Sequence, residues 1–425
     1  MDSADLGDRL RRLGLARGTD GLRPQPRRRH RPIEQLLPGE TVDTEHGPFF
    51  LYRETYRLDH HHGQGPLSAL LAHHPRGPAL LARDERLAAV DLERIAFVDT
   101  ETTGLAGGTG TYAFLVGVGA FEGDDFVLRQ YFMRDYGEEP AQLLALGELL
   151  DGMEAVVTFN GKSFDLPLLE TRFIMSRQPP RLVGAPHLDL LPAARRLWKY
   201  RLDSCALSSL EEQVLGVRRE GIDVPGWLIP GLYADYARSG DAGDMPRIFY
   251  HNAQDILSLV VLAARLCQLL EVSLAPADDD LPGEDLYGLG RLLHDLGQVE
   301  RAEAAYARAA ETCRRPAVQE MAMRDLAYHL KRQERRTEAL AWWQRLAAER
   351  GAIYACEELA KHYEWQETDL AQALAWTEQA IELAGQAPAS ARRRQILDDL
   401  AHRQARLERK LAGVPEQGIE AEHQD

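Results

Sequence analysis

An apolar run that ends in two carboxylates one residue apart constrains this chain most. The run is Ile95-Ala-Phe-Val-Asp99-Thr-Glu101-Thr-Thr-Gly104. A short apolar stretch bounded by polar residues and a turn reads as a buried strand. Side chains alternate along a strand, so Asp99 and Glu101 project from the same face. Two carboxylates held that close repel, and a shared divalent cation is a natural reason to place them there. Mg²⁺ and Mn²⁺ prefer such oxygen ligands, and two such ions can run in-line phosphodiester hydrolysis. The plain alternative is that the pair only ends a strand and opens a turn.

The rest of the chain narrows the choice. Its 425 residues imply two or three domains. No uninterrupted apolar stretch is long enough to span a bilayer; the best candidate, Ile256 to Val272, carries Arg265 and Gln268, so no membrane partner is expected. Met-Asp-Ser-Ala-Asp opens the chain without an apolar segment behind it, so no signal peptide is expected. Cys205, Cys267, Cys313 and Cys356 form no C-x-x-C pair, which predicts neither a zinc ribbon nor a disulfide framework and fits the cytoplasm. A net charge of -16 argues against a protein that coats nucleic acid non-specifically. It leaves room for a nuclease with a local basic surface.

Composition divides the chain into five stretches. Residues 1–33 form an Arg- and Pro-rich basic arm, expected to be disordered or to contact phosphates. Residues 34–93 read as a lead-in segment with a strand at Gly47-Pro-Phe-Phe-Leu-Tyr-Arg; His60, His61 and His62 read as an exposed loop beside Gly63 and Gly65. From 94 to 272 the pattern is α/β, with strands at Ile95–Val98, Tyr112–Gly119, Phe126–Phe132 and Ala155–Phe159 and a helix at Glu139–Leu150. Gly104 to Gly110 lacks the Lys-Ser/Thr ending of a phosphate loop and reads as a turn between adjacent strands. From 285 to 412 an Ala-, Leu-, Glu- and Arg-rich pattern repeats at about 34 residues, in units opening at Leu286, Ala322 and Ala355, which resembles tetratricopeptide helix pairs able to present a concave surface to a protein partner. Residues 413–425 are acidic and expected to be disordered.

Further acidic residues follow in the α/β stretch. Asp165, in Asn160-Gly-Lys-Ser-Phe164-Asp165, sits where a turn meets a helix and alone would be a helix cap. Asp255 closes Tyr250-His251-Asn-Ala-Gln-Asp255 at the head of an apolar helix. Residues four apart share a helix face, so His251 and Asp255 point together and Tyr250 points away. Asp189 and Asp203 read as structural. Lys162, Arg172, Arg195, Arg196, Lys199 and Arg201 read as a phosphate track or as solvated helix faces.

Taken in order, Asp99-x-Glu101, Asn160…Phe164-Asp165 and His251-x-x-x-Asp255 resemble the three sequence blocks of the DEDD exonuclease superfamily, which has a ribonuclease H-like fold. The match covers roughly residues 94 to 270. His187-Leu-Asp189-Leu and Leu207-Ser-Ser-Leu-Glu-Glu…Leu215-Gly216 are similar to stretches of the bacterial YprB-type proteins, some of which carry a tetratricopeptide tail. The resemblance implies a 3′→5′ exonuclease that hydrolyses single-stranded DNA or RNA ends with two Mg²⁺ or Mn²⁺ ions. Asp99, Glu101, Asp165 and Asp255 would be the metal ligands. Thr102, Thr103, Leu105, Asn160 and Phe164 would contact the terminal nucleotide. His251 would orient or deprotonate the nucleophilic water, with Tyr250 as the alternative. The family's tyrosine subclass has Tyr four residues before the last Asp and its histidine subclass has His five before it; this chain has the two in the reverse order. A nucleic-acid-binding scaffold whose repeats recruit a protein is the competing expectation.

Overall fold

A computed structural model of the chain describes residues 31–104, 110–182, 184–274 and 281–413. They fall into two units: one extends to Ala193 and resumes from Ala206 to Gln268, and the other is Ala194–Cys205 with the chain from Leu269 onward.

The first unit is built on a mixed sheet of seven strands. In chain order its strands are β1 (Glu40–Thr44), β2 (Gly47–Arg57), β5 (Ile95–Thr102), β6 (Ala113–Glu122), β7 (Asp125–Phe132), β8 (Ala155–Thr158) and β9 (His187–Asp189). A separate small hairpin is made of β3 (His61–His62) and β4 (Gly65–Pro66). The sheet order is β1-β2-β7-β6-β5-β8-β9. Strands β5, β8 and β9 are parallel, and β1, β2, β7, β6 and β5 are antiparallel neighbours. Strand β5 is thus central. Its apolar first half is buried on both faces, which is why Ile95–Val98 shows no alternation.

The lead-in segment is not a separate region. Strand β2 pairs with β7 through eight residues, from Phe50 opposite Phe132 to Arg57 opposite Asp125, and so extends the same sheet. The arrangement of Phe49 and Leu51 towards one face and Phe50 towards the other ties it to both layers of core. His62 is not in an exposed loop either: it is buried, and its Nε2 lies 2.8 Å from Ser258 Oγ. Burial lowers the His62 pKa to about 4. A Cβ at Gly63, whose φ is +64°, would meet Leu215 O at 2.2 Å, so the hairpin can dock there only with glycine.

Helices cover both faces of the sheet. Helix α1 is Arg76–Ala82, α2 Glu139–Leu150, α3 Asp165–Met175, α4 Leu190–Trp198, α5 Leu207–Leu210, α6 Ile229–Ser239 and α7 Met245–Glu271. Leu143 and Leu146 of α2 and Leu169 and Phe173 of α3 pack with Ala96, Val98, Val116 and Val118 on one face. Tyr233 of α6 and Ile248 and Phe249 of α7 pack with Phe50, Leu115 and Phe132 on the other. Helix α7 is long and apolar enough to cross a membrane by length and composition alone, yet 78% of its most apolar window is buried within the protein. Its apolar character is that of a core helix.

The second unit is helical: α8 (Gly283–Asp295), α9 (Val299–Thr312), α10 (Pro316–Arg332), α11 (Arg336–Arg350), α12 (Ile353–Trp365), α13 (Leu370–Gln386) and α14 (Ala391–Leu411). Each packs on the next. The stretches that open at Leu286, Ala322 and Ala355 fall in α8, α10 and α12. Small residues such as Ala302, Ala305 and Ala309 let α9 approach the larger Tyr287 and Leu292 of α8. Glu364, only 1% exposed, anchors α14 by accepting from Arg403, Arg406 and Lys410.

Candidate active site

The four expected acidic residues come from three elements, near enough for the charges of Asp165 and Asp255 to act on Asp99 and Glu101. Asp99 and Glu101 leave β5 towards the α7 side of the sheet. Between them Thr100 faces the opposite way, and its hydroxyl donates to Asp165 Oδ1. Asp165 is therefore not a helix cap. It is the first residue of α3, 6% exposed, and its carboxylate turns back to the strand. Asp255 lies about three turns into α7.

Asn252, one turn before Asp255, fixes Asp99: its Nδ2 donates to Asp99 Oδ2 at 2.8 Å and to the Asp99 carbonyl at 3.3 Å. Gln130 of β7 donates to Asn252 Oδ1 at 2.8 Å and to the Phe249 carbonyl at 2.9 Å, which locks the amide in that orientation. Glycine in β6 makes room for this. A Cβ at Gly117, directly opposite Asp99 in the sheet, would meet Asn252 Oδ1 at 2.1 Å. Gly117→Ala is expected to cost about 1–3 kcal/mol by overpacking, seen as a lower midpoint in thermal unfolding, and to weaken divalent-ion binding because it moves Asn252 and with it Asp99.

The charges of Asp255 and Asp165 both act on Asp99 and on Glu101. Burial first, and then these neighbouring charges, push both carboxyls well above the ordinary carboxylate range. Burial raises Asp165 to about 6 against the opposing pull of the Thr100 hydrogen bond. A hard divalent cation fits this donor set, since it would relieve the repulsion through oxygen ligands. As placed, the site is not a closed ligand shell: among the described residues no three carboxylate, imidazole or thiol groups converge to hold one ion.

The cation that does stand there is Arg219, which sequence reasoning missed. Its Nη2 donates to Asp255 Oδ1 and, at 2.6 Å, to Glu211 Oε1; its Nε donates to Glu211 Oε2 at 2.7 Å. Burial alone would lower the guanidinium pKa, but the bonds and charges of Glu211 and Asp255 outweigh it and raise it. Glu211 is 2% exposed, opens a π-helical turn (Glu211–Leu215), and also accepts from Ser258 Oγ at 2.6 Å.

His251 and Asp255 share a face of α7, with His251 Nε2 3.7 Å from Asp255 Oδ2. Its Nδ1 lies 2.8 Å from Asp223 Oδ1 and 3.1 Å from Arg219 Nη1, so it donates to the first or accepts from the second according to tautomer. Tyr250 points elsewhere, accepting from the Glu220 backbone N–H at 2.9 Å.

The expected nucleotide-contacting residues divide. Thr102 is buried and its hydroxyl donates to the Gly104 carbonyl at 2.9 Å; the Thr103 hydroxyl accepts from Tyr112 N at 3.0 Å. Both hydroxyls close the turn between β5 and β6, beside a shift in strand register at Glu101/Thr102. Leu105 lies outside the described residues. Asn160 is exposed in a left-handed turn, φ 66°, and Phe164 is half-buried. Asp189 builds that turn by accepting from the backbone N–H groups of Asn160 at 2.8 Å and Lys162 at 3.2 Å. Two of the six basic residues are engaged in ion pairs: Arg172 is buried in a bidentate pair with Glu139, both bonds 2.5 Å, and Arg201 pairs with Asp285 at 2.7 Å.

Comparison with known proteins agrees with this architecture. Residues 96–267 match the RNase_H_2 model of the RNase_H superfamily. The chain is 32% identical over 290 residues, 67% of this chain and 68% of the other, to the uncharacterized protein YprB of Bacillus subtilis (strain 168). Among solved structures it resembles the family B DNA polymerase from the hyperthermophilic archaeon Pyrobaculum calidifontis, with a TM-score of 0.34 and 15% identity, over 48% of this chain and 29% of that one.

Proposed function

The chain belongs to the YprB family and carries a ribonuclease H-superfamily domain, and from that premise we propose that it is a metal-dependent nuclease of the DEDD type that removes nucleotides from single-stranded 3′ ends in the cytoplasm. The observation that supports this reading is that Asp165 and Asp255 lie close enough to Asp99 and Glu101 for their charges, added to burial, to push both carboxyls well above the ordinary range. Keeping four carboxylates together is costly without a cation to bind.

These four residues would hold divalent Mg²⁺ or Mn²⁺, which supplies charge stabilisation at the scissile phosphate. Asn252 and Thr100 orient Asp99 and Asp165. His251 accepts the proton of the attacking water at Nε2, since Asp223 occupies its Nδ1 side. The water oxygen bonds to phosphorus, the bond to the 3′-oxygen of the preceding nucleotide breaks, and that oxygen leaves as a hydroxyl. Exposed Asn160 and half-buried Phe164 would receive the terminal nucleotide, Phe164 by stacking.

The paired helices of the second unit support a tetratricopeptide-like reading, with a protein partner on the array. Arg219 on Asp255 favours a second reading, a weakly active or inactive scaffold that binds nucleic acid. Digestion of 5′-labelled single-stranded DNA and RNA by the full chain with Mn²⁺ or Mg²⁺ separates the two. The nuclease reading expects a ladder that shortens from the 3′ end and disappears with EDTA. Intact polymer bound by folded protein would select the scaffold.

A further inference from the structure

Arg219 changes what the site can hold. Its guanidinium is fixed on several sides. Glu211 takes it in two bonds, Asp255 takes it in a third, and Nη1 lies 3.1 Å from His251 Nδ1 and 3.5 Å from Asp223 Oδ2. Its side chain is 12% exposed. Glu211 is held in turn by Ser258, and Ser258 by His62 of the small hairpin. A side chain held at this many points, on an anchor that is itself buried and bonded, is part of the wall of the site and not a loose counter-ion.

We propose that Arg219 is the resident cation of the site and stands in for a second metal ion, so that the folded chain binds one divalent cation where the DEDD resemblance implies two. The proposal rests on the reading that these carboxylates bind metal. Among the described residues no lysine, arginine or histidine pairs with Asp99, Glu101 or Asp165, so the ion draws its ligands from these carboxylates and not from Asp255. Asp255 is already neutralised at Oδ1, and an ion bound there would face the guanidinium directly, with strong like-charge repulsion in a half-buried setting. Sharing one nitrogen between Glu211 and Asp255 also makes Arg219 a positioning residue for Asp255.

The test is Mn²⁺ titration of the full chain, read by calorimetry and by the electron paramagnetic resonance signal of free Mn²⁺. Wild type is expected to bind one Mn²⁺. Arg219→Gln, which keeps hydrogen-bonding capacity but removes the charge, is expected to bind a second Mn²⁺ at least about tenfold more tightly than any second ion in wild type. Arg219→Lys, which keeps the charge, is expected to stay at one. Two ions of comparable affinity in wild type, or one ion in a folded Arg219→Gln, would overturn the proposal while leaving a metal site intact. No Mn²⁺ bound by folded wild type would instead remove the metal reading itself. Should Arg219→Gln not fold by circular dichroism, wild type and Arg219→Lys decide: one ion in both upholds the proposal, and two in either overturns it.

Discussion

Asp99→Asn is expected to lower phosphodiester hydrolysis by about 10³-fold or more and, in the same protein, to raise the unfolding temperature measured without metal. The two effects have one cause. Asp99 sits where burial and the charges of Asp255 and Asp165 all oppose its ionised form. Asparagine removes that charge at nearly constant volume, and its side-chain carbonyl can still accept from Asn252 Nδ2. Each kcal/mol of repulsion relieved should appear as about 2–4 °C in the midpoint for a unit of this size. Added Mn²⁺ should stabilise wild type and leave the variant little changed, because only wild type has the ligand to gain from it. A variant that is inactive and also less stable without metal would mean that Asp99 is a structural residue.

The same carboxylates set the pH response of the metal-free protein. Their folded pKa values lie above those of the unfolded chain, so the folded state binds more protons in between. Their favourable contribution is therefore complete below the ordinary carboxylate range. It is lost as pH rises, through about 6 for Asp165 and through the raised values of Asp99 and Glu101. Unfolding midpoints recorded across this window without metal should fall with pH, and saturating Mn²⁺ should flatten the trend.

How much of this was legible in the sequence depended on the range of each contact. Strand β5 follows from its short apolar run, and the shared face of Asp99 and Glu101 from the two-residue period of a strand. The pairing of His251 with Asp255 follows from helical spacing. What local pattern could not supply are contacts made across the fold. Arg219 lies in Gly216-Val-Arg-Arg-Glu, a loop with no motif, and meets Asp255 from 36 residues away. Asn252 has a polar side chain between two candidate residues and no signal of its own. Gly117 and Gly119 inside a strongly apolar strand were the available clue, since glycine in a strand interior marks close approach of another element. Strand β2 gave no sign that it would join β7, because its alternation fits any half-buried edge. Thr102 and Thr103 went the other way: a family pattern assigns them to the nucleotide, while their hydroxyls bond the Gly104 carbonyl and the Tyr112 N–H just past the end of β5.

His251→Gln is expected to reduce kcat by about 10²–10⁴-fold with Mn²⁺ affinity changed by less than about threefold. The argument is geometric. Helix α7 runs unbroken through both residues, so His251 and Asp255 lie one turn apart and His251 Nε2 is turned to the acidic cleft. Asp223 at Nδ1 holds the ring and leaves Nε2 to accept a proton. Glutamine retains a hydrogen-bonding end but cannot take that proton. Tyr250, one residue earlier, turns some 100° away around the helix and is engaged by the Glu220 backbone. Tyr250→Phe should cost less than about 1 kcal/mol in stability and leave kcat near wild type. This pair of variants settles which side chain serves the water, since the reversed order of Tyr250 and His251 matches neither family subclass. The opposite result, a silent His251→Gln and an inactive Tyr250→Phe of normal stability, would require the helix to present its other face to the substrate and would displace His251 from the mechanism. Loss of Mn²⁺ binding together with kcat in His251→Gln would instead mark the imidazole as support for Asp255 through Arg219, with the proton passing to another acceptor.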